Sequence, residues 1–232
     1  MNYIKRAIIM AAGIGSRLQP LTHITPKPLI QVDGIKMIDS IVSALHENNI
    51  HEIIVVIGHL KEQFYEWAKD KPDIRLIENP YYKTANNISS LFVARDFIDD
   101  VIILDGDQII YNKNILHQNF DHSGYSVCWT ETDTNEWILT VNENMRVTSY
   151  SRRGGKQGWQ LFSISRWTKS DGLKLARLIE KEFIEHKQTD IYWDDVPLSH
   201  LNIFDLTVYP IKVNDIIEVD TIDELKKLET KL

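Results

Sequence analysis

The chain has a single cysteine, Cys128, in 232 residues, so no internal disulfide can form and a reducing, cytoplasmic setting is expected. That thiol sits in a strand-like run, Tyr125-Ser126-Val127-Cys128-Trp129, with no base beside it, and reads as a small buried hydrophobe. No apolar run approaches the roughly 18 residues of a membrane helix. The run after Lys5-Arg6 is short and ends at glycines, which suits a strand better than a leader. Positive charge is not in excess either. A formal charge of −7 argues against nucleic acid as a main partner, but leaves open a nucleotide held by a local cluster of cations. The eight histidines show no metal-ligand spacing, and no Ser/His/Asp or Cys/His set stands out, so nucleophilic hydrolysis has no apparatus here. Internal repeats and low-complexity tracts are absent.

What is present is a soluble-protein composition, 43% hydrophobic and 25% charged, sufficient for a substantial core. One stretch organises the chain: Ala7-Ile8-Ile9-Met10-Ala11-Ala12-Gly13-Ile14-Gly15-Ser16-Arg17, running on to Thr25-Pro26-Lys27-Pro28. An apolar strand stops abruptly at two glycines, which permit positive φ and close approach of a ligand to the backbone. Arg17 and Lys27 add two cations beside exposed N–H groups, a combination suited to polyphosphate. Leu18 stands where the dinucleotide fingerprint needs its third glycine, and no Gly-Lys-Ser/Thr follows, so neither that motif nor a P-loop is present. An ordinary strand-to-helix turn is the plainer alternative for the glycines alone.

Further along, Ile38–Leu45 has helical spacing, Glu52–Gly58 is a second buried strand, a helix is expected over Lys61–Lys69, and Ile74–Ile77 is a third strand. The alternation predicts an α/β fold: a Rossmann-like mixed, mainly parallel sheet flanked by helices. Shorter alternating segments at 125–131, 137–142, 145–150 and 158–165 predict a small antiparallel extension. An amphipathic helix is expected over Ser170–Lys187, a last strand over Leu206–Val213, and a helix from Thr221. We expect one domain over 1–232, with 1–122 binding nucleotide and 123–232 binding the acceptor and closing the chain. Ser151–Gly158, basic and glycine-rich, reads as a solvated hairpin tip, with a flap over anionic substrate as the alternative.

Chemistry concentrates in a few places. Asp105-Gly106-Asp107 follows the buried strand Val101–Leu104, at the carboxyl end where open α/β sheets bind ligands. Two carboxylates one residue apart suit a hard cation such as Mg²⁺, although the same string also makes common turns. Asn87 and Ser90 open a helix, as caps or as groups facing a nucleotide. Glu218-Val219-Asp220 ends a late apolar run, where Asp220 could equally cap the helix that follows. Thr134-Asn135-Glu136-Trp137 and Asp190-Ile191-Tyr192-Trp193-Asp194-Asp195 combine aromatic faces with carboxylates, which is what a quaternary ammonium asks for.

Taken together, these strings resemble the nucleotidyltransferases that join a nucleoside triphosphate to a phosphorylated sugar or alcohol, and over the whole chain the bacterial CTP:phosphocholine cytidylyltransferases. The resemblance implies that Ala11, Ala12, Gly13, Gly15, Asn87, Ser90 and Asp105 hold the nucleotide, with Lys27 and Arg17 at the reacting phosphates. It implies Mg²⁺ on Asp107 and Asp220, and choline between Trp137, Tyr192, Asp194 and Glu218. The partners implied are CTP and phosphocholine; oligomeric state stays open. Enzymes acting on phosphoethanolamine or 2-aminoethylphosphonate share this pattern, and a catalytically silent nucleotide-binding regulator is the alternative of another class.

Overall fold

The structure, a computed structural model, describes residues 1–229. Its first half runs through β1 (Arg6–Ala11), α1 (Met37–Glu47), β2 (Glu52–Ile57), α2 (Lys61–Ala68), β3 (Ile74–Glu78), α3 (Ile88–Val93), β4 (Val101–Asp105) and β5 (Gln108–Ile110). Then come β6 (Gly124–Thr130), β7 (Ile138–Val141), β8 (Val147–Ser151), β9 (Gly158–Trp167) and α4 (Lys169–Glu180). The chain ends with α5 (Asp195–Leu198), β10 (Thr207–Pro210), β11 (Ile216–Glu218) and α6 (Ile222–Glu229).

A nine-stranded sheet runs in the order β8-β7-β9-β4-β1-β2-β3, with β6 on β9 and β10 on β6. The strands β4, β1, β2 and β3 are parallel to one another. Successive side chains of a strand point to opposite faces. In β1, Ile8 and Met10 therefore enter one core with Ile54, Val56 and Ile103, while Ala7, Ile9 and Ala11 enter the other with Ile53, Val55 and Leu104. The continuous apolar runs follow from this, because both faces are covered. Ile38, Ile41, Val42 and Leu45 of α1 all lie in the second core, as their spacing predicts. The fold is the expected mixed, mainly parallel α/β sheet.

β9 joins the two halves. Its C-terminal part pairs antiparallel with β4, Trp167 opposite Val101, and its N-terminal part pairs with β7. The extension therefore hangs on the strand that carries Asp105. Three expectations need adjusting. The strand expected over Leu206–Val213 as the last one is confined to Thr207–Pro210 and is followed by β11, and it lies parallel to β6, Gly124 opposite Thr207, so the extension is not wholly antiparallel. The helix expected over Ser170–Lys187 is α-helical only to Glu180; Lys181–Glu185 form a wider π turn that carries Phe183 against Phe92 and Tyr81, at 4.7 and 5.2 Å. Cys128 is half-buried rather than buried, and burial raises its pKa, which disfavours the reactive thiolate.

Candidate functional site

The parallel strands β1, β2 and β4 deliver their C-terminal ends to one edge of the sheet, and the first loop begins there. Gly15 adopts φ +66°, and a Cβ on it would stand 2.9 Å from Thr22 Cγ2, so both conformation and space require glycine. Gly13 differs: it lacks positive φ, and an added Cβ would meet nothing within 4 Å. Its bare face opens on the cleft. Beyond it the chain coils through short turns at Ser16–Leu18, Leu21–His23 and Lys27–Leu29, not into the helix of an ordinary strand-to-helix unit.

Those turns bury Lys27 and aim it at two carboxylates. Its Nζ lies 2.5 Å from Asp107 Oδ2 and 2.7 Å from Asp220 Oδ1. Burial works against the charge, but Asp107 and Asp220 outweigh it and hold the ammonium's pKa above its ordinary value. Arg17, two-thirds exposed, reaches Asp220 Oδ1 at 2.8 Å. Asp220 arrives by strand pairing: β11 runs antiparallel to β5, Glu218 opposite Gln108, and the Val219 amide donates to the Asp107 carbonyl at 3.3 Å. Asp220 is not the helix cap it could have been. Thr221 Oγ1 accepts from the Glu224 amide, and the Glu224 carboxylate accepts from the Asp220 and Thr221 amides, a capping box that leaves the Asp220 carboxylate free for the cleft.

Asp105, Asp107 and Glu218 form a second group, with one oxygen of each within 4.8 Å of the others. Burial and the Asp107 charge push Asp105 up to about 7, against the pull of a Ser163 hydrogen bond. Burial, Asp107 and Asp105 raise Glu218 well above its ordinary value. Asp107 Oδ1 is buried without a hydrogen-bond partner. So crowded an acidic site, bridged by one ammonium and left with an orphaned oxygen, fits a hard divalent cation. The donor set offered is all carboxylate.

Asn87 is not a side-chain cap either. Its Oδ1 crosses to accept from the Trp193 amide at 2.9 Å, which turns its amide nitrogen's end free for other work. Ser90 Oγ accepts from the buried Asn79 at 3.0 Å and keeps its own proton to donate. Both line a cleft of about 260 Å³ with Ala11, Ala12, Gly13, Gly15, Arg17, Lys27, Asp105, Asp107 and Asp220. Every residue expected to hold nucleotide, catalyse or bind metal is thus on one cavity.

A second cleft of about 590 Å³ holds all four expected choline residues, Trp137, Tyr192, Asp194 and Glu218, and shares Arg17, Asn87, Asp105, Asp107 and Asp220 with the first. Trp137 and Tyr192 meet edge-on, 5.6 Å between ring centres at 82°, and Tyr150 stacks on Trp137 from behind. Asp194 is buried, and that burial with the Asp105 charge raises its pKa well above the carboxylate range. Its side chain faces the equally buried Tyr125 hydroxyl, and the Asp194 Oδ1 and that hydroxyl have no other hydrogen-bond partner. Trp193, by contrast, is a core residue, 2% exposed and stacked on Tyr125. The cleft also takes in residues given no site role from sequence: Ser163, Asn135, Glu136 and Arg152. Asn135 and Glu136 belong to the string quoted for Trp137. Arg152 lies in the loop read as a solvated hairpin tip; Arg152, Arg153, Lys156 and Gln157 are exposed as that reading expects, and the Arg152 guanidinium also stands over both aromatic rings of the cleft.

Among known proteins, residues 7–168 match the MobA-like NTP transferase domain. The 2-aminoethylphosphonate cytidylyltransferase of Lancefieldella rimae is 34% identical over 94% of this chain and 89% of its own length. The choline-phosphate cytidylyltransferase of Streptococcus pneumoniae is 33% identical over 97% of this chain and 96% of its own. The solved structure of the CTP:phosphocholine cytidylyltransferase from Streptococcus pneumoniae superimposes with a TM-score of 0.90 at 32% identity, covering 97% of each chain. The cleft geometry and these likenesses lead to one conclusion: the chain belongs to the MobA-like NTP transferase family and is a nucleotidyltransferase.

Proposed function

We propose that the chain is a cytidylyltransferase making CDP-choline and pyrophosphate from CTP and phosphocholine. The observation that carries this reading is the joining of the two clefts: an aromatic corner backed by buried Asp194 and half-buried Glu218 opens onto the Lys27–Asp107–Asp220 centre. A phosphomonoester bound with its cationic head at Trp137 and Tyr192 directs its phosphate toward Lys27 and Arg17. One of its oxygens attacks the α-phosphorus, the new P–O bond forms, and the bond to the β-phosphate breaks to release pyrophosphate. The attacking phosphate is already anionic near neutral pH, so no general base is called for. Lys27 and Arg17 align the reactants and offset charge gathering on the transferring group. The loop glycines and the Asn87 and Ser90 side chains are assigned to the nucleotide.

The family generally uses a divalent metal ion, and we assign Mg²⁺, held by Asp107 and Asp220 with Asp105 and Glu218 beside them. When bound, it neutralises phosphate charge and polarises the P–O bonds. CTP and phosphocholine are the small-molecule partners in this reading, and the cytoplasm its setting. Among the described residues no helix is long and apolar enough to cross a membrane.

A second reading takes 2-aminoethylphosphonate as the acceptor. It is favoured by the Lancefieldella rimae relative and by Asp195, a buried carboxylate behind the cleft that pairs with Arg152 and accepts an N–H from the Tyr192 amide at 2.9 Å. The test is pyrophosphate release with CTP and Mg²⁺, comparing phosphocholine, phosphoethanolamine and 2-aminoethylphosphonate. Preference for phosphocholine is expected. Preference for a primary amine overturns the acceptor while keeping the enzyme class, and CTP binding without release from any of them favours a silent regulator.

A further inference from the structure

The aromatic corner is already filled by a cation of the chain's own. The Arg152 guanidinium carbon lies 5.2 Å from the Trp137 ring centre and 5.5 Å from that of Tyr192, within cation–π range of both. Its Nε is 3.4 Å from Asp195 Oδ1, on the carboxylate that follows Asp194. Two aromatic faces and a buried carboxylate are the elements by which a protein holds an ammonium head, and here a guanidinium occupies them. The Arg152 side chain is 45% exposed, so one side faces solvent and gives it a way out. The loop that bears it is anchored: Thr134 and Gly155 exchange both backbone hydrogen bonds, and Ser151 Oγ donates to the Gly154 carbonyl. Those bonds fix the backbone, while the long arginine side chain is free to rotate about its own bonds.

We propose that Arg152 is an intramolecular occupant of the acceptor site, which a cationic acceptor displaces one-for-one, and that this competition sets the site's affinity and selectivity. The proposal rests on the reading that this cleft takes the acceptor's cationic head. Its consequence for selectivity is electrostatic. When Arg152 leaves, Asp195 loses its cation while only 6% exposed. A positively charged head restores the balance. A neutral or anionic head leaves a buried carboxylate without a counter-charge and is rejected. A plain aromatic corner without the arginine lacks that penalty.

The competition has a kinetic signature. A site open for a fraction of the time has its apparent dissociation constant raised by the inverse of that fraction. Arg152→Met, which keeps the aliphatic stem and drops the charge, and Arg152→Ala are compared with the unaltered protein in pyrophosphate release. The acceptor used is whichever of the three the unaltered protein prefers. In both variants the acceptor KM is expected to fall about three- to tenfold, with kcat and the CTP KM within about twofold. Choline alone, which carries no phosphate and needs no turnover, is expected to quench tryptophan fluorescence at correspondingly lower concentration in both variants. An acceptor KM and choline half-saturation that stay unchanged or rise in either variant overturn the proposal; a rise in the KM makes Arg152 a ligand of the acceptor's phosphate instead. The acceptor reading is judged separately, from the ranking in the unaltered protein.

Discussion

The two clefts that meet at Asp107 are built in opposite ways. The side assigned to the nucleotide is made by backbone: strand ends, a loop held by Gly15, and turns that carry Lys27 to its carboxylates. Two of its carboxylates are paired within the empty protein, Lys27 bridging Asp107 and Asp220, with Asp105 beside them pushed up to about 7. The side assigned to the acceptor is made by side chains from the segment before β7, the β8–β9 hairpin and the segment before α5, and it keeps two carboxylates, buried Asp194 and half-buried Glu218, pushed toward their neutral forms. One side is settled before substrate arrives. The other is held in check, by raised pKa values and by an arginine standing in the corner. Substitutions on the first side should therefore strike chemistry and folding, and those on the second should strike acceptor binding.

The largest effect is expected at Lys27. Lys27→Ala removes the cation that the proposed reaction places at the reacting phosphates, and loss of one such stabilising group costs about 10²- to 10³-fold in kcat. It also leaves Asp107 and Asp220 facing each other without their bridge, so the melting temperature of the Mg²⁺-free protein should fall, and added Mg²⁺ should restore part of it. Pyrophosphate release and a thermal melt with and without Mg²⁺ check both halves. A kcat within a few-fold of normal would take Lys27 out of the chemistry and break the comparison at its centre.

Next in size is Trp137. Trp137→Ala removes one of the two aromatic faces, and a desolvated cation–π contact is worth about 2 kcal/mol. The acceptor KM should rise by at least about tenfold, which corresponds to about 1.4 kcal/mol, while the KM for CTP stays put. Equal movement in both constants would mean that the two clefts are one site, and that the division drawn above is not real.

How much of this could be read from the chain follows the same division. β1, the glycine loop and Asp105-Gly106-Asp107 are contiguous, and a run of apolar residues ending in glycine or aspartate states its own geometry. The acceptor cleft depends on β9 pairing with both β4 and β7, a tertiary choice with no local signature. Trp137, Tyr192, Asp194 and Glu218 came from resemblance, and the cleft has brought them together. Arg152 escaped because Ser-Arg-Arg-Gly-Gly reads as a solvated tip until the position of Trp137 is known. Asn87 and Asp220 were ambiguous for a related reason. Both residue types cap helices, and whether they do so depends on distant partners: the Trp193 amide for Asn87, and the Thr221–Glu224 box that relieves Asp220.

The two loop glycines sharpen the nucleotide side. Gly15→Ala forces a Cβ into left-handed backbone and against Thr22, and should destabilise the fold by about 1–2 kcal/mol. Gly13→Ala meets no protein atom within 4 Å, so its melting temperature should hardly move while CTP binds more weakly. Parallel melts and CTP titrations separate the two. Equal loss of stability would show that Gly13, too, serves the fold rather than the ligand.

The smallest expected effect is on stability at Asp194, and its sign is the informative part. In the free protein its pKa lies well above the ordinary 3.8, chiefly through burial and then through the Asp105 charge. A carboxyl raised in the folded state contributes stability that is fully present below the unfolded value and is lost as pH rises through the folded value. Asp194→Asn keeps the shape and removes the ionisation, so that loss disappears. The variant should match the unaltered protein in acid and become the more stable of the two as pH rises, by a margin that widens until Asp194 is fully ionised. Choline affinity should move the other way, since the variant lacks the carboxylate that an ammonium head would face. Melts from acid to mildly alkaline pH, with and without choline, measure both. A variant less stable at every pH would mean that the carboxyl is held by the fold for its own sake. Stability gained and acceptor binding lost together would mark Asp194 as a charge kept buried for its ligand, the feature that most separates this side of the site from the self-neutralised one across Asp107.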